Sequence, residues 1–271
     1  MMSQLTAEQI QTAARLIADL RLRRNGCEGM IDGLPEACRP RSLADAYSIQ
    51  ERARRMIAEG LGPVAGYKVG ATAKVMQDRL GIHFPCAGTL FARRLYQSGV
   101  EIDHTRFRHF GVECEIGVRM GKGVQARAGG HDHDSVREAI AAVFVSIEIV
   151  EHRFTDVRAV GAETHVADDF YSAGAVLGPE HPISDLDPDG AAKGEILVDG
   201  VVAFAGHARD ILGHPLNSLA WLADHLAARG RPLQAGDIVS LGSISPGTHI
   251  PGPASVEARF EGLGSCSMTV V

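Results

Sequence analysis

No apolar run in this chain of 271 residues approaches the roughly 20 consecutive residues that a membrane helix requires. Cysteine is scarce and scattered. The five residues (Cys27, Cys38, Cys86, Cys114, Cys266) are odd in number and contain no CxxC pair. That pattern excludes a disulfide framework, argues against a zinc site, and fits reduced thiols in the cytoplasm. A basic excess is also missing: 27 Lys and Arg stand against 33 Asp and Glu, a net charge of −6. General nucleic-acid binding, which needs a basic face, is disfavoured. The opening MMSQLTAEQI has neither the basic nor the apolar stretch of a signal peptide, so a soluble cytoplasmic protein is expected. Repeats and low-complexity segments are absent. What is present, 45% hydrophobic and 22% charged residues, is ordinary globular composition.

Residues 1–62 read as a helical region and 63–271 as one α/β core, the two forming a single functional unit. Thr6 and Gln9 form a capping-box pair, and Ile10, Ala13, Ala14, Ile17 and Leu20 make one stripe. Asn25-Gly26 is the expected stop. Ser42 and Asp45 open a second helix to about Gly60, with Leu43, Ala46, Ile49, Ala53 and Met56 inward. From Val64 short strands and turns take over. VAGYKVG is a strand followed by a short helix over 73–80. Val112–Met120 and Val143–Val150 are strands separated by a helix near 134–142. Asp199-Gly200 marks a two-residue hairpin. Pro215 starts a helix closed by Gly230, and DIVSLG and two strands around Gly262 complete the chain.

The chemistry concentrates in carboxylates. Glu113 and Glu115 in VECEIGV lie two apart on a strand, so both face one side and Cys114 the other. Glu148 sits inside the apolar strand VFVSIEIV, where an unpaired carboxylate is costly. Three carboxylates without a cysteine pair suit a hard ion, Mg²⁺ or Mn²⁺, better than zinc. The plainer alternative makes Glu113 and Glu115 the wet face of a half-exposed strand. Glu151, an odd number of residues beyond Glu148, points away and is expected to pair, with Arg153 for example. His131, Asp132, His133 and Asp134 read as a solvated loop with Asp134 as helix N-cap. GKGVQARAGG lacks the context of a dinucleotide fingerprint. His214 fits a helix entrance and Trp221 the core.

The stretches AYSIQ, GYKVGAT, PCAGTLF, VECEIGV, SIEIVEHRF, VADDFYSAGAVLG, LGHPLNSLAWLA and LQAGDIVSLGS occur in an order that resembles the 2-keto-4-pentenoate hydratase family. That family includes 2-oxo-hept-3-enedioate hydratases and 4-oxalocrotonate decarboxylases. The resemblance runs from about Ala46 to the C-terminus. It implies a mixed α+β, fumarylacetoacetate-hydrolase-like β-roll in a homo-oligomer, with Mg²⁺ or Mn²⁺ on Glu113, Glu115 and Glu148. It further implies that Lys68 handles protons or stabilises an enolate, and that the substrate is a small 2-oxo or 2-hydroxy-dienoic acid. Read from its residues alone, Lys68 also fits a surface position on an edge strand. The implied reaction is hydration of a 2-hydroxy-2,4-dienoate in aromatic catabolism, or alternatively decarboxylation of a 2-oxo-enedioate at the same site.

The chain departs from the family pattern at several places. Cys86 stands where hydratases carry an aspartate that is a catalytic candidate. Asp168-Asp169-Phe170-Tyr171 replaces an aspartate-asparagine-alanine-serine run, and Leu241 replaces a threonine. Cys86, Asp169, Ser172 and Leu241 are therefore expected to line the substrate pocket, with an apolar distal end. A fold retained as a non-catalytic scaffold is a competing reading, opposed by the presence of all three carboxylates and Lys68. Carbon–carbon bond hydrolysis ranks lower, because the histidine–glutamate pair of such relatives has no equivalent here.

Overall fold

The computed structural model describes residues 4–271. The first three residues of the opening stretch lie outside it. Thr6 accepts from Gln9 and Gln9 from Thr6, closing the capping box on α1 (Ala7–Leu22). Its inward stripe is buried apart from the partly exposed Ile10. The helix stops three residues earlier than the Asn25-Gly26 signal, because Arg23 itself adopts the left-handed cap (φ 52°). Ser42 caps α2 (Leu43–Leu61) through the Asp45 amide. The Asp45 carboxylate turns back to the Leu5 and Arg41 amides, tying the entry of α1 to that of α2.

Twelve more elements follow along the chain. They are β1 (Val64–Gly70), α3 (Lys74–Leu80), β2 (Cys86–Phe91), β3 (Leu95–Gln97), β4 (Val100–Ile102), β5 (His109–Met120), α4 (His133–Arg137), β6 (Ile140–His152), α5 (Ala162–Ala167), β7 (Ser172–Leu177), β8 (Lys193–Val198) and β9 (Val201–His207). The C-terminal part adds α6 (Pro215–Ala227), β10 (Ile238–Ser243), β11 (Thr248–His249), β12 (Ala254–Phe260) and β13 (Gly264–Val270). One sheet runs β2-β1-β10-β5-β6-β7-β3, with β11 attached to β5, and the other runs β4-β13-β12-β8-β9. Asp199 (φ 50°) and Gly200 (φ 77°) make the hairpin between β8 and β9. Such a turn needs positive φ at both centres, which Asp-Gly supplies.

The sheets meet through apolar side chains such as Ile116, Ile147, Ala258, Cys266 and Met268. Residues of α1 and α2 belong to the same buried cluster. Trp221 is only half-buried and stacks on His225 at 4.8 Å, so it borders the core.

The expected helix over 134–142 is corrected to one turn, α4, followed directly by β6. Residues 140–145 pair along β5, Ala142 opposite Arg119 and Val143 opposite Val118. A short apolar run does not distinguish helix from buried strand, and pairing decided it. The N-cap is Asp132, in a reciprocal box with Ser135, and Asp134 lies inside the turn. No helix among the described residues is long and apolar enough to cross a membrane.

Candidate functional site

The β5–β6 ladder fixes the carboxylates. Glu113 stands directly opposite Glu148, and Glu115 opposite Ser146. Each of the three glutamates offers an oxygen within 4.8 Å of the others. Glu115 and Glu148 are buried and Glu113 is half-buried. Cys114, between them, turns to the other face and reaches the Glu195 carbonyl at 3.4 Å. The alternation that placed both glutamates on one side therefore holds, but that side faces a largely buried site and not an open solvated surface.

Lys68 approaches from β1, which lies beyond β10 in the sheet. Its Nζ is 3.2 Å from Glu148 Oε1 and donates to the Phe170 carbonyl at 3.0 Å. Only 2% of the lysine side chain is exposed, so the edge-strand alternative does not apply. Glycines open the space it occupies. A Cβ at Gly70 would meet the Phe170 ring at 2.2 Å, and one at Gly88 would meet the Asp169 carbonyl at 2.6 Å.

Charge in this interior is poorly balanced. Burial, and then the neighbouring Glu148, push the Glu113 carboxyl up to about 8. Burial and Glu148 likewise raise Glu115, while Ser240 and the Gly242 amide donate to its Oε2. Burial raises Glu148 against the pull of Lys68. Burial alone would lower Lys68, but Glu148, Glu113 and Glu115 outweigh it and hold the ammonium above its ordinary value. Neither oxygen of Glu148 has a well-formed hydrogen bond. Three converging carboxylates served by one lysine, with orphaned buried oxygens, fit a divalent cation of the hard class. Glu151 stays outside this cluster. It pairs with Arg108 at 2.8 Å and Arg153 at 3.2 Å, as the strand geometry led one to expect.

Above the carboxylates lies a cavity of about 110 Å³. Lys68, Glu113, Thr72, Met76, Leu80, His152, Val157, Arg158, Phe170, Tyr171, Ser243 and Ser245 contribute to its wall. This is well below the roughly 300–1,000 Å³ of sites for drug-sized ligands, so it suits a molecule of few atoms.

Four expected pocket residues are not on that wall, and each has a physical reason. Leu241 alternates with Ser240 on β10, so it enters the apolar core while Ser240 faces Glu115. Cys86 is fully buried at the start of β2, opposite Gly70, and burial pushes its thiol up to about 12. Ser172 donates to the Thr89 carbonyl at 3.2 Å. The Asp169 carboxylate accepts from Arg21 and, at 3.1 Å, from the Thr89 amide.

The segment that follows α5 was missed by sequence reasoning. Asp169, Phe170 and Tyr171 have φ of 56°, 49° and 66°, three successive left-handed residues without a glycine. Each costs about 1–2 kcal/mol for an ordinary side chain, somewhat less for the aspartate. Arg21 and Arg153 both donate to the Ser172 carbonyl, at 3.0 and 2.7 Å, and Arg153 also pairs with Asp168 at 2.9 Å. These contacts hold the turn so that its Phe170 carbonyl meets Lys68. The only sequence signal was the departure at 169–171 itself.

The sequence profile of the fumarylacetoacetate (FAA) hydrolase C-terminal family matches residues 69–271. A 2-keto-4-pentenoate hydratase of Burkholderia vietnamiensis is 33% identical over 92% of this chain and 94% of its own. A 4-oxalocrotonate decarboxylase of Pseudomonas putida is 28% identical over 98% of both chains. The solved 4-oxalocrotonate decarboxylase from Pseudomonas putida G7, complexed with magnesium and adipate, superposes over the whole of both chains. Its TM-score is 0.89 at 26% identity. A shared buried geometry and matches of this length lead to one conclusion: the chain belongs to the fumarylacetoacetate hydrolase family, in the branch that holds the 2-keto-4-pentenoate hydratases and 4-oxalocrotonate decarboxylases.

Proposed function

We propose that this protein is a divalent-metal-dependent lyase of small 2-oxo and 2-hydroxy-dienoic acids. Its first reading is hydration of a 2-hydroxy-2,4-dienoate to a 4-hydroxy-2-oxo acid in the breakdown of aromatic compounds. The observation that carries this is the cluster of Glu113, Glu115 and Glu148 beneath a small cavity, with Lys68 at its edge. Those three glutamates would hold Mg²⁺ or Mn²⁺, and magnesium is present in the solved decarboxylase relative. Such an ion supplies a Lewis acid for the oxygens of a 2-oxo acid.

The chain's own groups supply the rest. Lys68 Nζ, oriented by the Phe170 carbonyl, holds and moves a proton at the face of the cavity. Ser240 keeps Glu115 turned toward Glu113 and Glu148. Met76, Leu80, Val157 and Phe170 exclude water along the wall. Asp169 and Ser172 act behind that wall by shaping the turn.

Decarboxylation of a 2-oxo-enedioate is the second reading, favoured by Cys86. Cys86 is fully buried off the cavity wall and burial raises its thiol, so this position offers no carboxylate to activate water, whereas decarboxylation adds no water. The free thiols, four of them buried, suit a reducing interior, and we place the enzyme in the cytoplasm as a homo-oligomer. Purified protein would be offered 2-hydroxypenta-2,4-dienoate and 2-oxohex-3-enedioate with Mg²⁺ or Mn²⁺. Loss of dienoate absorbance without CO₂ identifies the hydratase, and CO₂ release identifies the decarboxylase. Turnover of neither, or full turnover in excess chelator, contradicts the proposal.

A further inference from the structure

We propose that Arg21, on α1, is a positioning residue for Lys68, so that the N-terminal helix completes the site of the downstream core. The proposal rests on the reading of Lys68 as the proton-handling group. The family profile begins only at residue 69, and α1 lies well before it. Yet Arg21 is 3% exposed at its side chain and is paired with the 2%-exposed Asp169. A second nitrogen of the same guanidinium donates to the Ser172 carbonyl at 3.0 Å. The two contacts straddle Phe170 and Tyr171, whose left-handed backbone has no glycine to relax it. The far side of Asp169 is fixed by the Thr89 amide on β2 at 3.1 Å, so the aspartate is clamped between helix and strand.

Lys68 depends on what this clamp presents. Its Nζ donates to the Phe170 carbonyl at 3.0 Å and lies 5.2 Å from the centre of the Phe170 ring. One residue of the turn therefore provides both a dipole and an aromatic face to the ammonium. If the turn relaxes toward ordinary φ, the carbonyl and the ring leave together. Arg153 does not replace Arg21 here, because its guanidinium is engaged by Asp168, Glu151 and the Ser172 carbonyl and makes no hydrogen bond to Asp169. The planar fork of arginine serves two acceptors at fixed geometry, which a lysine would not.

The test uses Arg21→Met and Arg21→Gln in the full-length protein, with Lys68→Ala as control. The protein has four lysines, and the other three, Lys74, Lys122 and Lys193, are exposed. A slowly exchanging ¹⁵Nζ ammonium signal is therefore assignable to Lys68. Both Arg21 variants should move or broaden that signal without metal and with diamagnetic Mg²⁺ bound. They should also lower kcat on the better of the two acids by about 10-fold to 100-fold, with KM within about 3-fold. Mn²⁺ stoichiometry should stay that of the parent. An unchanged lysine signal with kcat within about 2-fold, even at a lowered Tm, overturns the proposal, and so does loss of the bound Mn²⁺. If Arg21→Met does not fold, Arg21→Gln decides on the same criteria. Should Lys68→Ala keep full activity, the role given to Lys68 fails, and the ammonium signal alone still decides whether Arg21 positions it.

Discussion

Glu113 on β5 and Glu148 on β6 are cross-strand partners, two carboxylates facing each other in the interior of a sheet. Like charges in that relation destabilise a ladder, and burial leaves little water to relieve them. Burial and Glu148 raise Glu113 to about 8, above its unfolded value of about 4.3. A raised carboxyl stabilises the folded protein below the unfolded pKa and loses that contribution as pH rises through the folded one. The metal-free protein should therefore lose thermal stability between about pH 4.5 and 8. Mn²⁺ should bind more tightly over the same interval and release protons as it binds. Thermal melts with chelator, and calorimetry in buffers of different ionisation enthalpy, measure both. Flat melts and no proton release would sink the assignment.

Glu148→Gln and Glu151→Gln separate the two roles on β6. The first should weaken Mn²⁺ binding by at least about 10-fold, because a carboxamide is a poor ligand for a hard cation. The second should leave metal affinity near that of the parent. It removes the charged partner of Arg108 and Arg153 and should destabilise by about 3 kcal/mol, the scale of a broken buried pair. Metal titration and denaturant unfolding on both variants would expose a reversed pattern.

Lys68→Ala should lower kcat by about 10² or more, the usual scale for a positioned acid or base, and leave the fold intact. Near-normal turnover would make the lysine a charge-balancing group only.

Cys86→Asp reintroduces a carboxylate opposite Gly70, on the strand next to Lys68. If this position governs the choice of reaction, the ratio of water addition to CO₂ release should rise by about 10-fold. Stability should fall, since the new carboxylate is fully buried. Product analysis on both acids gives the ratio, and an unchanged ratio would show that the choice is made elsewhere.

Gly70→Ala would place a methyl 2.2 Å from the Phe170 ring. Displacement of that ring should reduce kcat by about 10-fold or more while Mn²⁺ still binds, and equal turnover would mean the turn tolerates movement.

The carboxylate cluster was legible because a strand repeats every two residues and Glu148 interrupts an otherwise apolar run. The hairpin at Asp199-Gly200 and the capping box of Thr6 and Gln9 were legible because each is a local pattern. What escaped was set by tertiary packing. The stop at Arg23 needs no glycine once the backbone closes on itself, and 140–145 became strand because β5 was there to pair. Leu241 was assigned to the pocket from its place in a motif, but alternation on β10 turns it into the core and gives the Glu115 side to Ser240. Arg21 and Asp169 are 148 residues apart, and no local pattern announces their pairing.

The left-handed run at 169–171 also restricts how this loop can vary over evolutionary time. Valine, isoleucine and threonine are poorly accommodated at positive φ, whereas asparagine, aspartate and glycine are not penalised to the same degree. The loop will therefore show a narrow choice of residues even where no side chain touches substrate. Invariance at Asp169 among descendants of this sequence would record both the backbone shape and the carboxylate's hold on Arg21 and Thr89, and drift at Phe170 and Tyr171 would be limited to residues that accept that shape.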